Sequence, residues 1–224
     1  MTAIVIGSTG LTGSVLIRLL LADPGITTVI SISRRSLNIP DPKLVEILVV
    51  DLSELPSITA KIRGDLYFCC LGTTIKTAGS KENFEKVDHD AIVAFAEIAK
   101  AYKAKSFTLI SSLGANVESG FFYNKVKGRT ERDVATLGFR SLIIFRPALL
   151  VGPRTEYRFL ESIAQRTLVP LSKLLPGHTQ RRFITRVETL AASMLAAGKA
   201  APDGVHVIEA KDIHPESSLL SGST

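Results

Sequence analysis

The sequence predicts an α/β protein with a doubly wound parallel sheet. Short apolar runs alternate along the chain with segments whose apolar residues recur at helical spacing, and this alternation is typical of parallel strands joined by helices. The first apolar run, residues 3–6, also leads through three glycines into an apolar helix. The length of 224 residues suits a single domain. We expect this domain to cover residues 1–214, with 151–214 on the substrate side and 215–224 as a flexible tail.

The individual elements follow from the same patterns, taken in chain order. Runs rich in Val, Ile and Phe predict strands, and apolar residues three or four apart, such as Phe84, Val87, Ala91 and Phe95, predict helices. The strands are predicted at residues 3–6, 28–33, 44–50, 66–71, 107–110, 141–145 and 205–209. The helices are predicted from about residue 14 to 21 and at 81–103, 123–137, 159–168 and 187–197.

Three glycines, Gly7, Gly10 and Gly13, occupy the turn after the first strand. In a strand, turn and helix of this kind, a pyrophosphate binds to backbone N–H groups at the helix N-terminus. Gly7 then permits the tight turn, Gly10 lets the phosphate approach the backbone, and Gly13 lets the helix pack closely on the sheet. The spacing G-x-x-G-x-x-G also fits a plain turn with incidental glycines. Its position directly after the first strand favours dinucleotide binding.

The end of the second strand predicts which dinucleotide binds. An acidic residue at this point would hold the ribose 2′-hydroxyl of NAD. The chain has Arg34 and Arg35 there, and guanidinium groups form charge-assisted hydrogen bonds to a 2′-phosphate. The pair therefore favours NADP(H) as the cofactor, the alternative being two solvated arginines in a loop.

Other polar residues also follow strands, where the ligands of open α/β sheets bind. Asp51 follows the third strand and fits two roles, since it could accept a hydrogen bond from an adenine amino group or cap residues 53–55. Gly72 follows the fourth strand and leaves room for a ligand beside the backbone. Thr73 and Thr74 offer hydroxyls to phosphate or ribose.

Tyr123 and Lys127 are the candidate catalytic residues. Their spacing of four places both on one face of a helix. A neighbouring ammonium favours the phenolate form of a tyrosine, so the phenol can act as an acid and base. A serine hydroxyl after the fifth strand, from Ser111 or Ser112, would orient a carbonyl together with the tyrosine. Taken alone, the Y-x-x-x-K pattern also fits an exposed aromatic residue beside a surface lysine, but the preceding motifs favour catalysis.

Composition and charge argue against several classes of function. No apolar run approaches the roughly 20 residues that span a bilayer, and there is no leader segment, so we expect a cytoplasmic protein without a membrane partner. The net charge of +6 suits an anionic ligand, but it is dispersed, and we expect no nucleic-acid partner. The adjacent Cys69 and Cys70 point to opposite faces of a strand and suit neither a disulfide nor a zinc site. His178 and His206 have no metal-ligand spacing, and we expect no metal.

The motifs together resemble those of an atypical short-chain dehydrogenase/reductase, in the group of the Tat-interacting oxidoreductase and its bacterial relatives. The stretches that carry the resemblance are residues 7–13, 33–35, 69–74, 87–88, 111–115, 121–128 and 145–147, of which 69–74 is the most specific to the group. The resemblance implies a Rossmann domain that binds NADP(H). It implies Tyr123 as the acid and base, Lys127 as the residue that holds the nicotinamide ribose, and Ser111 as the third member, with Ser112 as the alternate. Cofactor contacts are likewise implied for Thr9, Leu11, Thr12, Arg34, Arg35, Leu71, Gly72, Leu150 and Arg158.

Two classes of function fit these residues. The first is an NADP-dependent oxidoreductase that transfers a hydride between NADP(H) and a carbonyl or alcohol, a small molecule whose identity the sequence leaves open. The second is a non-catalytic regulatory protein that senses NADP(H). Because a sensor needs no acid or base, an intact serine, tyrosine and lysine favour the enzyme. A protein partner or a homo-oligomer stays open for both classes.

Overall fold

The central sheet of the protein is parallel throughout. A computed structural model describes residues 1–152 and 184–214. The strands in these residues are β1 (Thr2–Ile6), β2 (Thr28–Ser33), β3 (Leu44–Leu48), β4 (Leu66–Cys69), β5 (Ser106–Ile110), β6 (Ser141–Arg146), β7 (Leu149–Val151), β8 (Ile184–Arg186) and β9 (Gly204–Glu209). Seven of them form one sheet in the order β3-β2-β1-β4-β5-β6-β9, while β7 and β8 pair with each other. The predicted doubly wound α/β fold is confirmed.

Helices follow most strands and cover both faces of the sheet. Those in the described residues are α1 (Leu11–Ala22), α2 (Ile75–Ala78), α3 (Lys81–Glu85), α4 (Ala91–Ala101), α5 (Phe122–Thr136) and α6 (Val187–Ala200), with 3₁₀ segments at Leu52–Lys61 and Ala210–Asp212. None of these helices is long and apolar enough to cross a membrane. The helix predicted at 159–168 and the tail predicted at 215–224 lie outside the described residues.

The helix predicted over residues 81–103 is confirmed as an uninterrupted helical segment over residues 81–101, but it is not α-helical throughout. A π-helical turn, Lys86–Asp90, separates α3 from α4. This turn is wider because it holds more residues than an α-helical turn. The sequence pattern assigned Val87 to the apolar face, whereas the structure leaves Val87 half-buried and buries Asp88 completely.

Two apolar cores lie on opposite faces of the sheet. In β1, Ile4 and Ile6 belong to one core and Ala3 and Val5 to the other, because successive side chains of a strand alternate between faces. Side chains of α4 and α5 contribute to the first core, and side chains of α1 and α6 to the second. Since both faces are covered at the centre of the sheet, the strands there are mostly apolar.

The strand order reverses direction between β1 and β4. The chain proceeds from β1 through β2 to β3 on one side, and from β4 through β5 to β6 on the other. In such sheets ligands bind in the crevice outside the carboxyl ends of the strands at this reversal. The glycine turn follows β1 and the loop with Gly72 follows β4, so both lie at this crevice.

Candidate functional site

The turn between β1 and α1 has no room for side chains at two of its glycines. Gly7 has a φ of +77°, and a Cβ atom on it would lie 2.6 Å from the carbonyl oxygen of Cys70, just after β4. A Cβ atom on Gly13 would lie 2.2 Å from the carbonyl oxygen of Gly7, and one on Gly10 would lie 3.1 Å from the same oxygen. The backbone therefore packs directly on backbone here, as the three-glycine motif predicted.

The N-terminus of α1 is suited to bind an anion. Gly10 is the N-cap, so no side chain occupies the first N–H groups, and the first turn carries no acidic residue. Unpaired N–H groups and the helix dipole together favour a phosphate at such a position. Thr9 and Gly10 are exposed and Leu11 is half-buried, so the turn is open to solvent. This turn, which lacks side chains at its glycines, and the N–H groups of the helix N-terminus fit the pyrophosphate of a dinucleotide.

Arg34 and Arg35 lie at the carboxyl end of β2, the strand next to β1. Both side chains are exposed. Neither guanidinium forms an ion pair with an acidic residue of the described ranges. Their position and their charge are those that the sequence predicted for contact with a 2′-phosphate.

Asp51 serves as a helix cap. Its carboxylate accepts a hydrogen bond from the N–H of Ser53 at 2.8 Å, and Oε1 of Glu54 accepts one from the N–H of Asp51 at 2.9 Å, which completes a capping box. The hydrogen bonds from Ser53 hold the pKa of Asp51 below its ordinary value, and Lys86 and Arg34 add to this effect. Of the two predicted roles, the structure shows the cap, and the adenine contact stays a prediction.

The loop after β4 presents open backbone at Gly72. Gly72 is exposed, while Leu71 and Thr73 on either side are half-buried. The N–H of Thr73 donates a hydrogen bond to Oδ2 of Asp88 at 2.9 Å. Thr74 caps α2, since its hydroxyl accepts a hydrogen bond from the N–H of Thr77 at 3.1 Å. A ligand can therefore approach the backbone at Gly72, whereas the hydroxyl of Thr74 already has a structural role.

Ser111 and Ser112 follow β5 directly. The N–H of Ser111 donates a hydrogen bond to the carbonyl oxygen of Phe145 at 2.7 Å. The side-chain oxygens of both serines are buried, and neither has a hydrogen-bond partner within residues 1–152 and 184–214. Buried hydroxyls without partners are costly, so they fit a site that binds a polar ligand atom.

Tyr123 and Lys127 lie one turn apart in α5, as their spacing predicted. The ring of Tyr123 is half-buried, and its centroid lies 5.5 Å from that of Phe84 in a tilted arrangement. Phe84 itself is fully buried, so it gives the tyrosine ring a rigid support. The phenol is thus fixed beside the site and still reaches solvent.

Gly128 holds α5 against the loop that begins with the two serines. A Cβ atom on Gly128 would lie 2.3 Å from the carbonyl carbon of Asn116 and 2.4 Å from the backbone nitrogen of Val117. The N–H of Asn116 also donates a hydrogen bond to the carbonyl oxygen of Asn124 at 3.1 Å. These contacts connect the helix that carries Tyr123 and Lys127 to the segment after β5.

Lys127 forms a buried ion pair with Asp88. Its Nζ atom lies 2.8 Å from Oδ1 of Asp88, and the two residues are 3% and 0% exposed. Burial by itself lowers the pKa of Lys127, but the Asp88 carboxylate and the Tyr123 phenol outweigh it, and the pKa lies above its ordinary value. Lys127 is therefore charged at neutral pH.

Asp88 is the site residue to which the sequence analysis assigned no role. A signal was present, because Asp88 stands at helical spacing between Phe84 and Ala91 in an otherwise apolar face. A carboxylate on the apolar face of a predicted helix indicates a buried charge, which requires a partner. The partner, Lys127, lies in another helix and was not identifiable from spacing.

Leu150 lies in β7, close to the start of α1. It is half-buried and packs on the same core as α1. A Cβ atom on Gly152, two residues further on, would lie 2.7 Å from Cδ1 of Leu11. Contact of Leu150 with the cofactor stays a prediction, and Arg158 lies outside the described residues.

Comparison with known proteins identifies the family. A family model described as NAD(P)H-binding matches residues 7–168, which is more than half of the chain. The chain belongs to the NAD(P)H-binding family. The matched residues include the glycine turn, the arginine pair and all of α5.

Curated relatives of this NAD(P)H-binding protein place it in the atypical short-chain dehydrogenase/reductase group, as the motifs indicated. Protein fmp52, mitochondrial, of Emericella nidulans is 34% identical over 209 residues, which cover 89% of this chain and 90% of that protein. Protein HTATIP2 of Rattus norvegicus is 38% identical over 194 residues, which cover 85% of this chain and 78% of that protein.

Solved structures confirm the fold of the NAD(P)H-binding chain. MoeE5 in complex with UDP-glucose and NAD aligns with a TM-score of 0.71 at 19% identity, covering 93% of this chain and 75% of that one. A UDP-galactose 4-epimerase aligns with a TM-score of 0.67 at 20% identity, covering 93% and 76%. At these identities the likeness shows the Rossmann-like fold alone.

The expectation of a cytoplasmic protein is wrong. Relatives of this NAD(P)H-binding chain from Emericella nidulans, Candida albicans and Aspergillus fumigatus are named as mitochondrial proteins. The expectation rested on the lack of a membrane-spanning run and of a secretory leader. Neither of these features identifies a compartment.

Proposed function

We propose that this chain is an NADP-dependent oxidoreductase that transfers a hydride between NADP(H) and a carbonyl or alcohol group of a small molecule. One observation carries the proposal. Tyr123 and Lys127 project from a helix that packs through Gly128 on the segment after β5. That segment begins with two buried serine hydroxyls that have no hydrogen-bond partner among the residues that the structure describes. Family membership accounts for a dinucleotide site, whereas a catalytic tyrosine, lysine and serine would be unnecessary for binding alone.

The residues of the chain handle the proton and the orientation of the substrate. A bound NADP(H) supplies or accepts the hydride. In the reducing direction the Tyr123 hydroxyl donates its proton to the carbonyl oxygen and regains one from solvent, which its half-buried position allows. The charged Lys127 stabilises the phenolate that is left behind. The hydroxyl of Ser111, or alternatively of Ser112, donates a hydrogen bond to the same carbonyl oxygen.

Arg34 and Arg35 support the preference for NADP(H) over NAD(H). They are exposed at the end of β2, where an acidic residue would select NAD. The positive charges of Lys86 and Arg34 both lie close enough to Asp51 to lower the pKa of its carboxyl group. The surface at this end of the site therefore carries more than one positive charge. A 2′-phosphate placed there would be attracted rather than repelled.

The substitution Tyr123→Phe tests the proposed reaction. It keeps the ring and its packing on Phe84 but removes the transferable proton. Turnover should fall by a factor on the order of 10² to 10⁴, while NADPH affinity should stay within about threefold of native. Turnover is measured as loss of NADPH absorbance with a panel of aldehydes, ketones and quinones, and affinity by NADPH fluorescence.

Tyr102→Phe is the matched control, because Tyr102 is also half-buried but lies at the far end of α4. It should leave turnover unchanged. Equal rates for Tyr123→Phe and the native protein would remove Tyr123 from the mechanism. Failure of the native protein to reduce any compound of the panel, with NADPH binding intact, would favour the sensor over the enzyme.

A further inference from the structure

The ion pair between Asp88 and Lys127 is almost completely shielded from solvent. The two residues are 0% and 3% exposed, and Oδ1 and Nζ are 2.8 Å apart. Removing two charges from water costs several kcal/mol per ion, and the attraction between them does not always offset this desolvation penalty. Such a pair contributes little to stability compared with apolar residues of the same volume, so a role beyond stability is indicated.

Asp88 connects three elements of the site. Its Oδ1 atom contacts Lys127 in α5, and its Oδ2 atom accepts a hydrogen bond from the N–H of Thr73, in the loop after β4, at 2.9 Å. Its carbonyl oxygen accepts a hydrogen bond from the hydroxyl of Thr130, also in α5, at 2.7 Å. Asp88 itself lies in the π-helical turn, where it is buried.

The ion pair lies directly behind the open backbone of Gly72. A Cβ atom on Gly72 would lie 3.8 Å from Oδ1 of Asp88 and 4.0 Å from Nζ of Lys127. Gly72 is exposed at the crevice, so little separates the pair from a bound ligand. An ammonium group carries three hydrogen-bond donors, and the contact with Asp88 uses only part of this capacity.

We propose that Asp88 is a positioning residue for Lys127: its carboxylate contacts the ammonium at 2.8 Å and holds it behind Gly72, within reach of the cofactor. The contact of Lys127 with the cofactor rests on the proposed function. The effect of Asp88 on the charge of Lys127 does not, and it can be measured on the protein without cofactor.

The groups that act on Lys127 come from three elements: Asp88 in the π-helical turn, Tyr123 in α5 and Cys69 in β4. Burial raises the pKa of Cys69 to about 12, so this thiol stays neutral near physiological pH. Among the described residues, Asp88 is therefore the carboxylate that offsets the burial of Lys127. Without it, desolvation acts unopposed and favours the neutral amine.

Asp88→Asn is the primary test, since the amide oxygen still accepts the hydrogen bond from Thr73 while the charge is lost. In the native protein Lys127 stays protonated in both the folded and the unfolded state from about pH 7 to about pH 9.5, so it adds no pH dependence there. In Asp88→Asn the folded-state pKa of Lys127 falls below the unfolded value. The unfolded state then binds more protons, and stability relative to native should rise with pH across this range.

Urea unfolding of the cofactor-free proteins measures this difference. The double variant Asp88→Asn with Lys127→Met should lose the pH dependence, because no titrating amine is left. Thr130→Val is the matched control, since it removes a hydrogen bond to the carbonyl oxygen of Asp88 and leaves the carboxylate intact. It should lower the urea midpoint by a similar amount at every pH.

Lys127→Met keeps the proposal testable if Asp88→Asn does not fold. Here the buried Asp88 carboxylate loses the ammonium that offsets its burial, so the urea midpoint at about pH 7 should fall below that of native. The same pH dependence of stability in native and Asp88→Asn, or a urea midpoint of Lys127→Met equal to native, would overturn the proposal.

NADPH affinity tests the link to the cofactor. In Asp88→Asn it should weaken about tenfold or more between about pH 7 and about pH 9.5, as Lys127 loses its proton, whereas native affinity should change by less than about threefold. Affinity of Asp88→Asn that is independent of pH would overturn the contact with the cofactor. Absence of turnover in the native protein would leave the unfolding result unaffected, so the two proposals fail separately.

Discussion

At the scale of single residues, Arg34 and Arg35 carry the proposed choice between NADP(H) and NAD(H). Both are exposed, and each charge-assisted hydrogen bond to a phosphate contributes about 1.5–3 kcal/mol. Replacing both by alanine should therefore weaken NADPH binding by a factor on the order of 10² and leave NADH binding nearly unchanged. Fluorescence titration with each cofactor measures both constants.

Arg140→Ala is the control for this loss of charge. Arg140 lies just before β6, is exposed and pairs with Asp203, which lies just before β9. In the strand order, β6 and β9 lie on the other side of β1 from β2, which precedes the arginine pair. Its removal should leave the affinity for either cofactor unchanged. Equal affinity of the native protein for NADPH and NADH would contradict the proposed role of the arginine pair.

The two adjacent cysteines should be chemically inert in the folded protein. Burial raises the pKa of Cys69 to about 12 and that of Cys70 well above its ordinary value. Because the thiolate is the reactive form, a thiol reagent at about pH 8 should label both residues slowly in the native state and quickly in urea. Rapid labelling without denaturant would show that one of these thiols is accessible and ionised.

At the scale of elements, the contact between α5 and the segment after β5 depends on Gly128. Alanine is normally better than glycine inside a helix by up to about 1 kcal/mol. At Gly128, however, the added Cβ atom would lie 2.3 Å from the carbonyl carbon of Asn116. Gly128→Ala should therefore lower the free energy of unfolding by about 1–3 kcal/mol and reduce turnover. Urea unfolding and the NADPH assay measure the two effects.

Gly120→Ala is the matched control, because no atom of residues 1–152 or 184–214 outside its own chain neighbours lies within 4 Å of a Cβ atom at that position. It should leave both stability and turnover close to native. Stability of Gly128→Ala at or above the native value would show that α5 can move away from the loop without cost.

Sequence patterns predicted the strands better than the helical segment 81–103. Buried parallel strands are rich in apolar residues, so β2, β4 and β5 stand out from their surroundings. The π-helical turn at Lys86–Asp90 has no comparable signature, because one additional residue in a turn barely alters the apolar spacing. The pattern therefore placed Val87 rather than Asp88 on the buried face.

At the scale of the whole molecule, much of the candidate site was predictable because parallel strands end at one edge of the sheet. The glycine turn, Arg34, Gly72 and Ser111 each follow a strand directly, so the topology collects them at the same crevice. The ion pair between Asp88 and Lys127 was not predictable in this way. It depends on how α5 packs on the π-helical turn, which is a property of the tertiary structure rather than of any local pattern.

Hydride transfer that depends on Tyr123 is the central claim, and isotope transfer tests it most directly. NADPH with deuterium in place of both hydrogens at the reactive carbon of the nicotinamide is incubated with the native protein and the best carbonyl compound of the panel, and the product alcohol is analysed by mass spectrometry. We expect one deuterium on the former carbonyl carbon with the native protein, and product formation slowed by a factor on the order of 10² to 10⁴ with Tyr123→Phe. Reduced product without deuterium, or equal labelling rates in the two proteins, would contradict the account.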